Sequence, residues 1–281
     1  MMKALSSTLT AFTLLCALAS SGTCAPQAAV IGILPKPDVT GFAPVDGVRI
    51  WYGEYGAGAP VILLHGGITN SRSWAFQIPA LRAHYRVIVL DNRGHGRSSR
   101  TSEPFTYHQM ASDLIALMDF IHVDKASLVG WSDGADIALD VAIHHPERVD
   151  KLFAYAGNTE PAGLKEHAAM TPAMRAFFQR SAEQYHVLSP TPDGFDSLVA
   201  ADEHMASVEP HFSAEELASI SAPTWIVGAD HDQFIKRENT DYQARLIPGA
   251  GELILPGVTH GAPEEDPALF NAALLRFLAG T

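Results

Sequence analysis

The sequence predicts an α/β domain: a mostly parallel sheet with helices on both faces and a small helical cap inserted late in the chain. Three observations carry this reading. Apolar runs of strand length alternate with amphipathic stretches of helical period. Several runs (PVILL, RVIVL, ASLVG) are apolar without alternation, as strands buried on both faces must be. Between residues 158 and 221 the rhythm lapses, and helical patterns follow one another with no strand between them.

In order, residues 48–55 (VRIWYGEY) and 60–64 (PVILL) read as strands, the second running into His65-Gly66-Gly67. Residues 74–85 have helical spacing, with Trp74, Ile78 and Leu81 on one face. Residues 86–90 (RVIVL) are a buried strand, followed by the loop DNRGHG. Residues 106–123 form the clearest helix. Thr106 and Gln109 make a capping-box pair there, and Met110, Leu114, Met118 and Ile121 form the apolar stripe. A strand over 126–130 hands over to a helix from Asp133 to about His144, which Pro146 ends. Another strand covers 152–156. Inside the 158–221 insertion TPAMRAFFQRSAEQY reads as a helix, SPTPDG as a loop and FSAEELASI as a short capped helix. The alternation resumes with a strand at 224–228, a helix at 237–246, a strand at 252–255 and a helix at 267–278. The sheet needs strands from both sides of the insertion, so the 281 residues are expected to make one domain rather than two.

Residues 1–25 are set apart. Lys3 precedes an apolar stretch over 4–19 that is rich in Ser and Thr, and Ala17-Leu18-Ala19 supplies a small-x-small cleavage pattern. This is the layout of a secretory signal peptide, and the stretch is too short and hydroxyl-rich for a membrane span. The expectation is therefore an exported domain, residues 26–281, periplasmic or secreted and with no membrane insertion once the leader is removed. A lipid on Cys24 ranks lower, because Ser21-Gly22-Thr23 lacks the usual leucine. Cys16 and Cys24 are the two cysteines, so no disulfide or thiolate chemistry is expected in the domain. With 31 acidic against 19 basic residues, the formal charge of −12 argues against nucleic acid or an anionic membrane as partner.

Ser132 lies in GWSDG, where the strand ASLVG meets the helix DGADIALDVA. A serine on such a sharp strand-to-helix turn has Oγ pushed out above the sheet. Glycines two residues to either side, Gly130 and Gly134, relieve the crowding that the turn creates. The following helix N-terminus favours negative charge beside it. The competing reading is an ordinary helix-capping serine.

With HGG at 65–67, DNRGHGRS at 91–98, GWSDG at 130–134, GADHD at 228–232 and the late His260, the chain from about residue 48 to 279 resembles the α/β-hydrolase superfamily. GWSDGA is similar to the serine elbow of biphenyl-hydrolase-like (valacyclovir hydrolase type) esterases. The resemblance implies an α/β-hydrolase fold and a nucleophile–acid–histidine order. Ser132 is then the nucleophile. The base is His260, the one histidine after residue 246 among thirteen in the chain; His65 and His95 belong to glycine-rich turns and His144-His145 to a helix end. The acid follows TWIVG, where both Asp230 and Asp232 qualify. The family's Gly-x-x-Asp pattern, with Ala229 in the glycine place, favours Asp232 and keeps Asp230 as the alternative. The resemblance assigns the oxyanion hole to the backbone N–H groups of Gly67 and Asp133. The Asp133 carboxylate has two readings: a helix-capping or solvated group, or one that steers an amino group of the substrate.

These residues imply a serine carboxylic ester hydrolase acting on a small ester or lactone through an acyl-enzyme. No metal and no cofactor is implied, HExxH and thiolate spacings being absent. A serine at 132 disfavours dehalogenase or epoxide-hydrolase chemistry, which needs a carboxylate there. Carbon–carbon bond hydrolysis, amide hydrolysis and a slow-turnover ligand receptor remain as alternatives.

Overall fold

The computed structural model describes residues 33–166 and 171–280. The leader over 1–25, with Cys16 and Cys24, lies outside the described residues. Among those described, no helix is long and apolar enough to cross a membrane.

Eight strands form one sheet: β1 (Val39–Val45), β2 (Val48–Tyr55), β3 (Ala59–Leu64), β4 (Tyr85–Leu90), β5 (Ala126–Trp131), β6 (Val149–Tyr155), β7 (Thr224–Ala229) and β8 (Gly251–Leu255). Their spatial order is β1-β2-β4-β3-β5-β6-β7-β8, parallel throughout except for the β1–β2 and β2–β4 pairs. Period-two alternation along the central strands divides the core. Ile62, Leu64, Ile88, Leu90 and Leu128 face helices α2 (Tyr107–Phe120) and α3 (Asp133–His144). Val61, Leu63, Val87, Val89 and Val129 face α1 (Gln77–Leu81) and the last helix (Pro267–Ala279). Both faces are covered, which is why these strands carry no polar alternation.

Three elements differ from the sequence reading. β1 was not expected. It pairs with β2 through the two-residue turn Asp46-Gly47, both at positive φ, a hairpin signal the sequence does carry. The helix expected over 74–85 is a 3-10 turn (Ser71–Trp74) followed by the short α1. Pro79 has no N–H for the Ala75 carbonyl and its ring would crowd that group, so one helix cannot run through both. Trp74, Ile78 and Leu81 are nonetheless all buried, as the spacing requires. Between β6 and β7 lie α4 (Pro172–Leu188), α5 (Phe195–Val208) and α6 (Ala214–Ser219). The helix α5 was not assigned from sequence. α6 begins with a full capping box between Ser213 and Glu216 and packs against α3 and α7 (Arg237–Leu246), at the flank of the sheet. Thr106 caps α2 through the Gln109 N–H, but the Gln109 side chain turns to Asp46, so that box is half made.

Candidate active site

The residues singled out from sequence converge at the C-terminal edge of the parallel strands. β5 ends at Trp131, and Ser132 follows with φ 57° and ψ −123°, a conformation that a residue with a side chain rarely adopts. Its amide donates to the Tyr155 carbonyl (2.9 Å), and its carbonyl accepts from the Ala135 and Asp136 amides. Its Oγ caps no amide of α3, which removes the helix-capping alternative. The two flanking glycines are forced by contact. A Cβ on Gly130 would lie 2.3 Å from the Gly134 carbonyl oxygen and 2.4 Å from Ala135 Cα. A Cβ on Gly134 would lie 2.1 Å from the Leu64 carbonyl oxygen. The elbow therefore closes only because α3 can pass directly against β3 and the end of β5.

His260 stands after β8, and its Nδ1 is 2.9 Å from Asp232 Oδ2. Asp232 Oδ1 accepts the Phe234 and Ile235 amides (2.8 and 2.9 Å), so the buried carboxylate is fixed at both oxygens. Burial raises its pKa, but His260 and the two amides outweigh that, and it is held below the ordinary aspartate value. Asp230 is exposed and accepts the Gly257 amide (2.9 Å), bracing the turn after β8; it makes no contact with His260. The rings of Trp131, Tyr155 and Phe234 surround His260 with centroids 6.2, 6.5 and 4.9 Å away. Among the described residues neither Ser132 Oγ nor His260 Nε2 has a hydrogen-bond partner, and neither do the Gly67 and Asp133 amides.

His65 is fully buried and locks the HGG loop to the next one: its Nε2 accepts the Asn92 amide (3.0 Å) and its Nδ1 meets the Gly66 carbonyl (2.8 Å). Burial, then the neighbouring His95, push its pKa down to about 4, which keeps it neutral. Gly66 packs on Ser132, since a Cβ there would be 3.2 Å from Ser132 Cβ.

Sequence reasoning missed one wall of the site. Asp202 of α5 accepts the Ile68 amide (2.7 Å) and pairs with His95 Nε2 (2.9 Å), which ties α5 to the HGG and DNRGHG loops. Its Oδ1 is buried without a partner among the described residues. Beside it, Asp133 Oδ1 accepts the Tyr107 hydroxyl (3.1 Å), and Asp133 Oδ2 crowds Gly67, 2.6 Å from where a Cβ would stand. The Asp133 carboxylate thus caps no helix and is held by Tyr107. Burial and the nearby Asp202 push its pKa up to about 6. Asp202 did leave a signal, as an acid at i+4 between Leu198 and Met205 on the buried face of α5.

Similarity to known proteins agrees with this geometry. Residues 59–188 match the family model for the alpha/beta hydrolase fold. The chain is 30% identical over 248 residues to the protein named as a carbamate hydrolase, RutD, of Caulobacter sp. (strain K31), covering 78% of this chain and 90% of that one. It is also 30% identical over 265 residues to 2-hydroxy-6-oxo-6-(2'-aminophenyl)hexa-2,4-dienoic acid hydrolase of Metapseudomonas resinovorans, covering 85% and 90%. Among solved structures, Est816, described as an N-acyl homoserine lactone degrading enzyme, superimposes with a TM-score of 0.64 at 29% identity, over 84% of this chain and all of that one. A serine held at positive φ between a buried strand and a helix, in a chain so related along most of its length, makes this protein a hydrolase of the α/β-hydrolase superfamily.

Proposed function

We propose that the protein is a serine hydrolase that cleaves a small carboxylic ester or lactone through an acyl-enzyme. Ser132 Oγ attacks the carbonyl carbon as His260 Nε2 takes its proton, and Asp232 holds the ring and stabilises the imidazolium. The Gly67 and Asp133 amides receive the oxyanion. The tetrahedral intermediate collapses as His260 returns the proton to the leaving alcohol oxygen. His260 then deprotonates a water that attacks the acyl carbon, and collapse of the second intermediate frees the acid and Ser132. No step calls on a metal or cofactor.

The observation that carries the reading is the strained Ser132 together with the His260–Asp232 pair. The Est816 likeness supports the lactone half of the substrate class. Carbon–carbon bond hydrolysis on the same residues is the second reading, favoured by the dienoic acid hydrolase relative. A panel of p-nitrophenyl esters, lactones and a 6-oxo-dienoate separates the two, and Ser132→Ala is expected to lower turnover on the preferred class by about 10⁴-fold or more. Ligand-induced stabilisation with negligible turnover on every class would replace the enzyme with a receptor. Export belongs to the same proposal, and the mass of the secreted protein tests it: loss of the first 20–25 residues or so is expected.

A further inference from the structure

Two histidines and a carboxylate that the proposed chemistry does not use meet where α2 crosses α3. Asp140 and His144 are four residues apart on α3 and so share a face, and His108 reaches them from the first turn of α2. His108 Nδ1 lies 3.1 Å from Asp140 Oδ1, and His144 Nδ1 lies 3.3 Å from the same oxygen. His144 Nδ1 also sits 3.0 Å from the Asp140 carbonyl, and the two imidazoles stand edge to face with centroids 4.9 Å apart. One ligand atom from each residue falls within 4.8 Å of the others. The Asp140 side chain is 6% exposed, while those of His108 and His144 are 62% and 40% exposed. No Lys or Arg pairs with Asp140 among the described residues. A buried carboxylate thus meets solvent through two exposed imidazoles.

We propose that His108, Asp140 and His144 form a binding site for a divalent transition-metal ion of the zinc type, bridging α2 and α3. Bonds of about 2.0–2.2 Å at tetrahedral angles set neighbouring donors roughly 3.3–3.5 Å apart, and the two nitrogen–oxygen separations already stand near that spacing. Two imidazoles with one carboxylate select zinc, nickel, cobalt or copper over calcium and magnesium, which take oxygen donors. The fourth position is left for water. The ion would sit at the C-terminal end of α3, where the helix dipole favours positive charge. No hydrogen bond or ring contact joins the three residues to Ser132, Asp232 or His260 among the described residues, so the site stands apart from the proposed catalytic group. Sequence spacing does not reveal it, because His108 comes from a different helix.

The test is a calorimetric titration of tag-free, chelator-stripped protein with zinc chloride, repeated with cobalt chloride while following the visible absorption of the bound ion. One ion per chain with micromolar affinity is expected, accompanied by a rise in Tm that saturates with binding. His108→Ala and His144→Ala are each expected to weaken binding at least tenfold. His186→Ala, an exposed histidine elsewhere, is expected to leave it unchanged. Because both ligating histidines are exposed, the variants should keep the metal-free Tm of the parent, which separates lost binding from lost folding. Ser132→Ala should bind zinc as the parent does, so the outcome is independent of the catalytic reading. No binding at millimolar zinc, or binding that survives both histidine substitutions, would overturn the proposal.

Discussion

Ser132 concentrates the local conflict that makes the site. A non-glycine residue at φ 57° costs on the order of 1–3 kcal/mol, and it persists because β5, α3 and the Tyr155 carbonyl hold it there. The neighbouring acids divide their work by environment. Asp232 is buried and bonded to His260, whereas Asp230 is exposed on a turn. Asp232→Asn is expected to lower kcat by about 10³–10⁴-fold, because the amide no longer fixes the tautomer or balances the imidazolium. Asp230→Asn should stay within about twofold of the parent; steady-state kinetics on the two variants side by side decide the acid. Asp133 makes a separate prediction. Its folded-state pKa of about 6 exceeds the ~3.9 of an unfolded aspartate, so the folded protein holds that proton more tightly. The stability this contributes is complete below about pH 4 and is lost as pH rises through about 6. Asp133→Asn removes the penalty of the buried anion. Urea unfolding should find the variant up to about 3 kcal/mol more stable than the parent at pH 8 and equal to it at pH 4. A difference that grows on acidification would contradict the shift.

Two elements control whether these residues meet. The elbow depends on α3 lying against β3 and β5 with no side chain between. Gly130→Ala and Gly134→Ala are each expected to cost about 3 kcal/mol or more, since the atoms met are backbone and cannot swing away. An unchanged Tm in Gly134→Ala would show that the helix can withdraw. The DNRGHG loop is anchored by the buried two-pronged pair of Arg93 with Asp113 of α2, both contacts at 2.6 Å. Asp113→Ala strands the guanidinium, and denaturant titration should show a loss of about 3–5 kcal/mol.

The same elements show what was legible in the sequence. Central strands were readable as continuous apolar runs because both their faces are buried, and the α2 stripe because burial on one face leaves a helical period. That Ser132, Asp232 and His260 come to one edge of the sheet was legible because each lies in the loop or turn that follows a strand, β5, β7 and β8 in chain order. The β1–β2 hairpin has a sequence signal of its own in Asp46-Gly47, a pair suited to positive φ at both turn positions. At Pro79 the apolar spacing was right and the backbone chemistry broke the helix. Asp202 is legible only in part: its spacing with Leu198 and Met205 puts it on the buried face of α5, but its partners Ile68 and His95 lie 134 and 107 residues away in the chain, and no local pattern encodes that contact.

At the scale of the molecule, a sheet covered on both faces leaves its C-terminal edge as the place where chain reversals can present chemistry. Three strand ends supply Ser132, Asp232 and His260 there, while α5 reaches the same loops through Asp202. The proposed chemistry requires an activated serine at this edge. Treating the purified protein with a fluorophosphonate, then mapping the adduct by mass spectrometry, tests it most directly. One adduct per chain is expected, on Ser132, lost in Ser132→Ala and slowed in Asp232→Asn. An unmodified protein, or an adduct on any other residue, would contradict it.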